Sequence, residues 1–215
     1  GHHHLDAAIK AGARAVLIER GTKVPGTLPA ITVDHTGVAI GRLASAWRVA
    51  MRQLKVVAIT GTAGKTTTKD TLAGICQRRR STVSSPRSFN NAIGVPLTIL
   101  ATRPSDKILI AEVGTSSVGE IAPLARMLQP DVALVTLIGE GHLAGLGTLE
   151  AVATEKYELV KALGGTGHAI VHASSLPLPS CLGTLETYGD VAVIWSVLWR
   201  GRMLQYQSIW ERYRK

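Results

Sequence analysis

Residues 55–70 read KVVAITGTAGKTTTKD. Val56, Val57 and Ile59 make a short β-branched run suited to a buried strand, a glycine-containing turn follows, and Gly64-Lys65-Thr66 opens a helix. A P-loop of the form G-x-x-x-x-G-K-[ST] turns backbone N–H groups and a helix N-terminus toward an anion. Its lysine reaches the outer phosphates and its hydroxyl reaches Mg²⁺. Gly64, Lys65 and Thr66 fit that pattern. The first glycine does not, because Ile59 stands five positions before Gly64 and the other glycine of the loop is Gly61. The stretch reads as a phosphate cradle built from Gly61, Thr62, Ala63, Gly64, Lys65, Thr66 and Thr67. A phosphate-free turn is the alternative.

Downstream, strand and helix patterns alternate. Helices are expected from Lys65, near Asn91–Ala101, over Gly119–Met127 and over Leu149–Leu163, with strands at Ile108–Val113, Val132–Thr136 and Ala169–His172. Apolar strands separated by helices predict an α/β fold with a doubly wound, mostly parallel sheet. Ligands of such sheets collect at the carboxyl ends of the strands, which would align Gly61–Thr66, Glu112–Thr115 and Thr136–His142 along one edge. Upstream, the pattern gives a helix over Leu5–Ala13, a strand over Arg14–Ile18, a Gly/Pro-rich turn and a strand over Ala30–Val33. Asp34 is the expected N-cap of a helix reaching about Gln53, with Val38, Leu43, Trp47, Ala50 and Leu54 on its buried side. After His172 the character changes, and Trp195, Trp199 and Trp210 share the last segment with Arg200, Arg202, Arg212 and Arg214. No nucleotide-fold pattern is legible there.

The chain has 215 residues, 46% of them hydrophobic, with a mean hydropathy of +0.19, enough for a real core. A formal charge of +9 invites a nucleic-acid reading, but proteins that handle polyanionic small molecules are also basic. The dense run Arg78-Arg79-Arg80 falls where the helix from Lys65 should end, a place that favours cations, and no aromatic residue interleaves it. Nucleic acid is therefore not an expected partner. Cys76 and Cys181 are far apart and unpatterned, as in a reducing compartment. No stretch is long and apolar enough to span a membrane and the N-terminal residues lack signal-peptide character, so a cytoplasmic location is expected.

Three further residues carry possible chemistry. Glu112 ends the apolar run Lys107–Val113, at a strand end where a Mg²⁺ ligand is wanted. His142 stands in the glycine-rich loop Gly139–Gly147, where a histidine is ordinarily a surface or capping residue. Lys156 shares a helix with Glu150, Glu155 and Glu158, and its periodicity predicts a solvated lysine.

The compact T-G-T-x-G-K-T-T form resembles the loop of Mur ligases and folylpolyglutamate synthases. The run Ser88–Thr98 (SFNNAIGVPLT) is similar to the N-x-N-N-x-I-G-V-P-L-T signature of the Mur ligase branch that adds D-alanyl-D-alanine to UDP-N-acetylmuramoyl-tripeptide. TGTAGKTTTK, AEVGTSSVGEI and GHLAGLGTLEAVATEKYEL complete four ordered motifs. The opening GHHHLDAAIKAGARAVLIE resembles the family's segment D-G-H-D-F-x-x-x-A-x-x-x-G-A-x-A-x-V-V, which assigns His2-His3-His4 to the encoded sequence and not to a tag. The resemblance implies ATP as cofactor, with Lys65 on its phosphates and Asn90 and Asn91 lining the nucleotide and acceptor side of the cleft. It further implies one Mg²⁺ on Thr66 and Glu112, a second on His142, and carbamylation of Lys156 to give an anionic metal ligand. Ser88 departs from the family's usual Asn, and Gly139-Glu140-Gly141 departs from its usual Asn and small residues. The expected division is residues 1–50 from the uridine-nucleotide domain, 51–173 from the central ATP-binding domain, and a divergent tail, 174–215. Lacking the rest of the central domain and the C-terminal domain, the chain is expected to be a truncated, inactive ligase. The alternatives are another Mur-type amino-acid ligase, adding diaminopimelate or lysine, a cyanophycin-type synthetase, or a non-catalytic nucleotide-binding module whose tail docks on a partner.

Overall fold

The computed structural model describes residues 2–141, 143–164 and 167–172, with the backbone of the strand segments 187–188 and 192–196. A 3₁₀ turn (His2–His4) leads into α1 (Leu5–Lys10), followed by β1 (Val16–Glu19) and β2 (Ala30–Val33), which pair in parallel as a separate two-stranded sheet. Next comes α2 (Thr36–Ala50).

Two expectations for α2 are corrected. His35, not Asp34, occupies its N-cap and supplies no side-chain cap, while Asp34 pairs with Arg20 at 2.7 Å. The parallel pairing of β1 with β2 brings the end of β1 beside the start of α2. There the Glu19 carboxylate accepts from the Thr36 N–H (2.9 Å) and hydroxyl (3.0 Å), placing an anion at the helix N-terminus. The buried face also differs. Val38 and Leu43 are 52% and 56% exposed and Ala50 is exposed, whereas Ala44 and Arg48 are buried and Trp47 is half-buried. The reason is tertiary. The helix lies against α4 (Gly94–Leu100) and α5 (Ile121–Leu128), the small Ala44 permits close approach, and polar tethers fix the crossing. Trp47 Nε1 donates to the Thr102 carbonyl at 3.2 Å, and Arg48 donates to the carbonyls of Leu128 (2.8 Å) and Gln129 (3.0 Å).

The remaining elements are β3 (Lys55–Thr60), α3 (Lys65–Gln77), β4 (Thr82–Ser84), β5 (Ile108–Glu112), β6 (Val132–Val135), α6 (Leu143–Leu146), α7 (Leu149–Lys161) and β7 (His168–Val171). Five strands in the order β4-β5-β3-β6-β7 run parallel. The sequence pattern missed β4, a three-residue edge strand wedged between the arginine run and Pro86. Val56, Ala58, Leu109, Ala111, Ala133 and Ala169 face one core with Ile121, Leu128, Tyr157 and Leu159, while Ile59, Ile110 and Ala73 form a second core on the opposite face. Both faces are thus covered, as a doubly wound sheet requires. In the tail, whose fold the sequence left open, β9 (Ala192–Ser196) pairs antiparallel with β7 and β8 (Thr187–Tyr188) pairs with β9, extending the sheet. Trp199, Trp210 and the tail arginines lie outside the described residues. Among the described residues no helix is long and apolar enough to cross a membrane.

The chain leaves β3 for β4 on one side, beyond β5, and β6 then joins the other side of β3. The loop after β3 therefore occupies the switch point, where such sheets bind ligands.

Candidate nucleotide site

The loop 61–64 joins the buried strand β3 to the first turn of α3. Gly61 has φ +146°, and a Cβ there would lie 2.1 Å from Thr136 Oγ1, so only glycine lets the loop pass the end of β6. Gly64 occupies the α3 N-cap in a left-handed conformation (φ +80°). The loop is braced from the neighbouring strand end. Thr62 N–H donates to the Leu137 carbonyl at 2.7 Å, Gly139 N–H donates to Thr62 Oγ1 at 3.2 Å, and Thr136 Oγ1 donates to the Ala63 carbonyl at 2.5 Å. Ala63, Gly64, Thr66 and Thr67 are exposed. An open cleft of about 390 Å³ runs beside the loop, walled by Ala63, Gly64, Thr136, Leu137 and His172.

Lys65 is half-buried, and its Nζ donates to the carbonyls of Gly61 (2.8 Å) and Thr62 (3.3 Å). Burial pulls its pKa below the ordinary lysine value, opposed by the Glu112 carboxylate. Glu112 is 1% exposed. Its two oxygens accept from Thr66 Oγ1 and from Asn90 Nδ2, both at 2.8 Å. Asn90 thus joins the cradle through Glu112. The Asn91 side chain serves as a cap, accepting from the N–H groups of Ile93 (3.1 Å) and Gly94 (2.9 Å) at the start of α4. His142 lies outside the described residues.

Lys156 corrects the periodicity reading. It is fully buried, not solvated, and its Nζ has no hydrogen-bond partner among the described residues. Desolvation, reinforced by the Lys65 ammonium and partly countered by Glu155 and Glu120, lowers its pKa to about 8. The α7 stripe Val152, Glu155, Lys156 and Leu159, continued by Leu163 just past the helix end, is buried throughout. That 3–4 spacing is the apolar stripe of an amphipathic helix, and charged residues standing on it were a legible signal.

Glu155, named from the sequence only as a charged neighbour of Lys156, has a structural role that the spacing did not show. Its carboxylate accepts from the N–H groups of Gly119 and Ile121, both at 2.7 Å, at the start of α5. Glu120 was missed. It gathers Ser116 N–H (2.7 Å), Thr115 Oγ1 (3.0 Å) and Ser117 N–H (3.2 Å), contacts that hold its carboxyl below the usual range. Together they fold the segment after β5 back toward Lys156. The site therefore sets a helix N-terminus and Lys65 beside a hydroxyl–carboxylate pair, with an unpartnered buried amine nearby.

A parallel, doubly wound sheet with this loop at the end of its central strand defines a P-loop α/β protein. A family model described as the Mur ligase middle domain matches residues 59–181. The chain belongs to the Mur ligase family, as its four ordered motifs implied. It is 37% identical over 181 residues to the UDP-N-acetylmuramoyl-tripeptide--D-alanyl-D-alanine ligase of Bacillus subtilis, covering 83% of this chain and 39% of that protein. Against the ligase of the same name from Escherichia coli the identity is 36% over 174 residues, covering 81% and 38%. Among solved structures, MurF from Acinetobacter baumannii superposes with a TM-score of 0.71 at 32% identity, covering 79% of this chain and 37% of that one. MurF ligase from Thermotoga maritima, solved in complex with ADP, gives a TM-score of 0.68 at 32% identity, covering 79% and 39%. The chain spans about two-fifths of the length of these relatives.

Proposed function

We propose that this chain supplies the nucleotide site of an ATP-dependent amide ligase that adds D-alanyl-D-alanine to UDP-N-acetylmuramoyl-tripeptide in cytoplasmic peptidoglycan precursor synthesis. Residues 1–50 belong, in this reading, to the uridine-nucleotide domain and 51–173 to the ATP-binding domain, with 174–215 as a divergent continuation. The observation that carries it is Lys156, a buried amine without a hydrogen-bond partner among the described residues, near enough to the phosphate-loop lysine to feel its charge. A solvated-lysine role does not account for that placement. Carbamylation does: the neutral amine adds CO₂, releases a proton and becomes a carboxylate, and a pKa near 8 keeps a sizeable neutral fraction available.

The donor set fits hard cations. Thr66 and Glu112 would hold one Mg²⁺, and carbamylated Lys156 with His142 a second. Bound there, Mg²⁺ supplies charge neutralisation of the phosphate oxygens. The amides of residues 61–66 and the α3 N-terminus orient the triphosphate, and Lys65 leaves its loop carbonyls for the outer phosphates. The tripeptide carboxylate takes the γ-phosphoryl group with ADP leaving. The dipeptide amine then attacks the acyl carbon and phosphate departs. Lys65 offsets negative charge gathered in the first step.

ADP release from ATP by the ligase whose nucleotide site this chain supplies tests the reading. It is expected to require UDP-N-acetylmuramoyl-tripeptide and to rise further with D-alanyl-D-alanine. Release indifferent to both would contradict the substrate assignment.

A further inference from the structure

Lys69, the last lysine of TGTAGKTTTK, has no part in the reading above, yet it is 1% exposed. It lies one helical turn beyond Thr66 on α3. Its Nζ donates to the carbonyls of Ser85 (2.8 Å) and Arg87 (2.7 Å) and lies 3.1 Å from Asp70 Oδ1. Two ammonium protons are thus committed to main-chain carbonyls, and the Asp70 carboxylate stands at ion-pair distance.

Both carbonyls belong to the segment 85–90 that crosses from β4 to Asn90. Its two ends are tied to β5 and the residues after it. The Ser85 hydroxyl accepts from the Glu112 N–H at 3.0 Å, and the Asn90 carbonyl accepts from the Gly114 N–H at 2.8 Å. The Asn90 side chain lies so close over Gly114 that a Cβ there would sit 2.8 Å from its carboxamide carbon. The middle of the segment is strained, with Arg87 in the left-handed region at φ +49°, which a side chain disfavours. Lys69 bonds the carbonyl of that residue.

We propose that Lys69 is a positioning residue: it clamps segment 85–90 to the phosphate-binding helix so that Asn90 braces Glu112 toward Thr66, and thereby sets the Mg²⁺ dependence of nucleotide binding. The inference rests on the Mg-nucleotide reading of the site. Substrate phosphates do not touch Lys69; it acts through Asn90 and Glu112.

Amide hydrogen exchange of the nucleotide-free protein tests the clamp directly. In Lys69→Met the Glu112 and Gly114 amides are expected to exchange at least about tenfold faster, while the sheet amides of Ala58 and Ile110 keep their protection. Unchanged exchange at Glu112 and Gly114, or uniform acceleration across the sheet, would overturn the proposal. Should Lys69→Met not fold, Lys69→Gln is measured in the same way. ADP titration forms the second arm. Lys69→Met is expected to weaken ADP binding about tenfold in Mg²⁺ and to leave binding in EDTA unchanged, whereas Lys65→Ala weakens both. An equal loss for Lys69→Met in both media also overturns the clamp. If the wild-type chain binds ADP in neither medium, the nucleotide reading fails, and the exchange arm still decides the clamp.

Discussion

Lys156 has the conflict at its sharpest: an amine that ordinarily carries charge, fully buried and without a hydrogen-bond partner among the described residues. In the unmodified protein that burial opposes folding whenever the amine is protonated. Its folded pKa of about 8 lies below the unfolded value of 10.5. Between those values the unfolded chain binds the extra proton, so stability rises with pH across that window and is lowest below pH 8. Buried Tyr157, whose pKa is raised, works in the opposite sense above about pH 10, where the unfolded tyrosine ionises first. The clean window is thus pH 8 to 10. Lys156→Met should raise stability at pH 7 by about 1–3 kcal/mol in urea unfolding and flatten that pH dependence. A variant no more stable than the parent would mean that the amine is better solvated than its burial indicates. The residue was half legible. Its 3–4 spacing with Val152, Leu159 and Leu163 marked the buried stripe, but the surrounding glutamates suggested a solvated face. Glu155 proved to be buried on the same stripe, occupied with the α5 N-terminus.

Among the elements, the central strands β3 and β5 were readable because they are buried on two faces and so appear as unbroken apolar runs. β4 was not, because three residues at a sheet edge carry no such run. The existence of α2 was readable and its orientation was not. Its inward face is chosen by what α4 and α5 present, through Ala44 and the reach of Arg48, rather than by its own most apolar stripe. Arg48 is held by main-chain carbonyls of Leu128, Gln129 and Met51 and lies 3.7 Å from Asp131. Arg48→Met keeps the apolar stem and deletes the donors to the Leu128 and Gln129 carbonyls, while the Met51 carbonyl keeps the Leu54 N–H at 3.0 Å. It should lower stability by about 2–3 kcal/mol, seen as a lower midpoint in thermal or urea unfolding. An unchanged midpoint would show that α2 is held by packing alone.

For the whole molecule, the strand order decides where chemistry can occur, and strand order is a property of long-range pairing that local patterns do not encode. The sequence supported a parallel sheet and a loop at a strand end. The order β4-β5-β3-β6-β7 then puts Gly61–Thr66 between the ends of β5 and β6, which brings Glu112 to Thr66 and Thr136 to the loop backbone. Motif order named the family where geometry was silent, and the structure in turn separated the two asparagines that the motif offers together, one on Glu112 and one capping α4.

The central claim is that the loop at 61–67 is a working phosphate cradle. Titration of the chain with Mg-ATP, beside Lys65→Ala, tests it most directly. Saturable binding is expected, weakening at least about tenfold when the Lys65 ammonium is removed, the effect of losing one charge-assisted contact. Equal affinity in the two proteins, or no binding by the wild type, would contradict it.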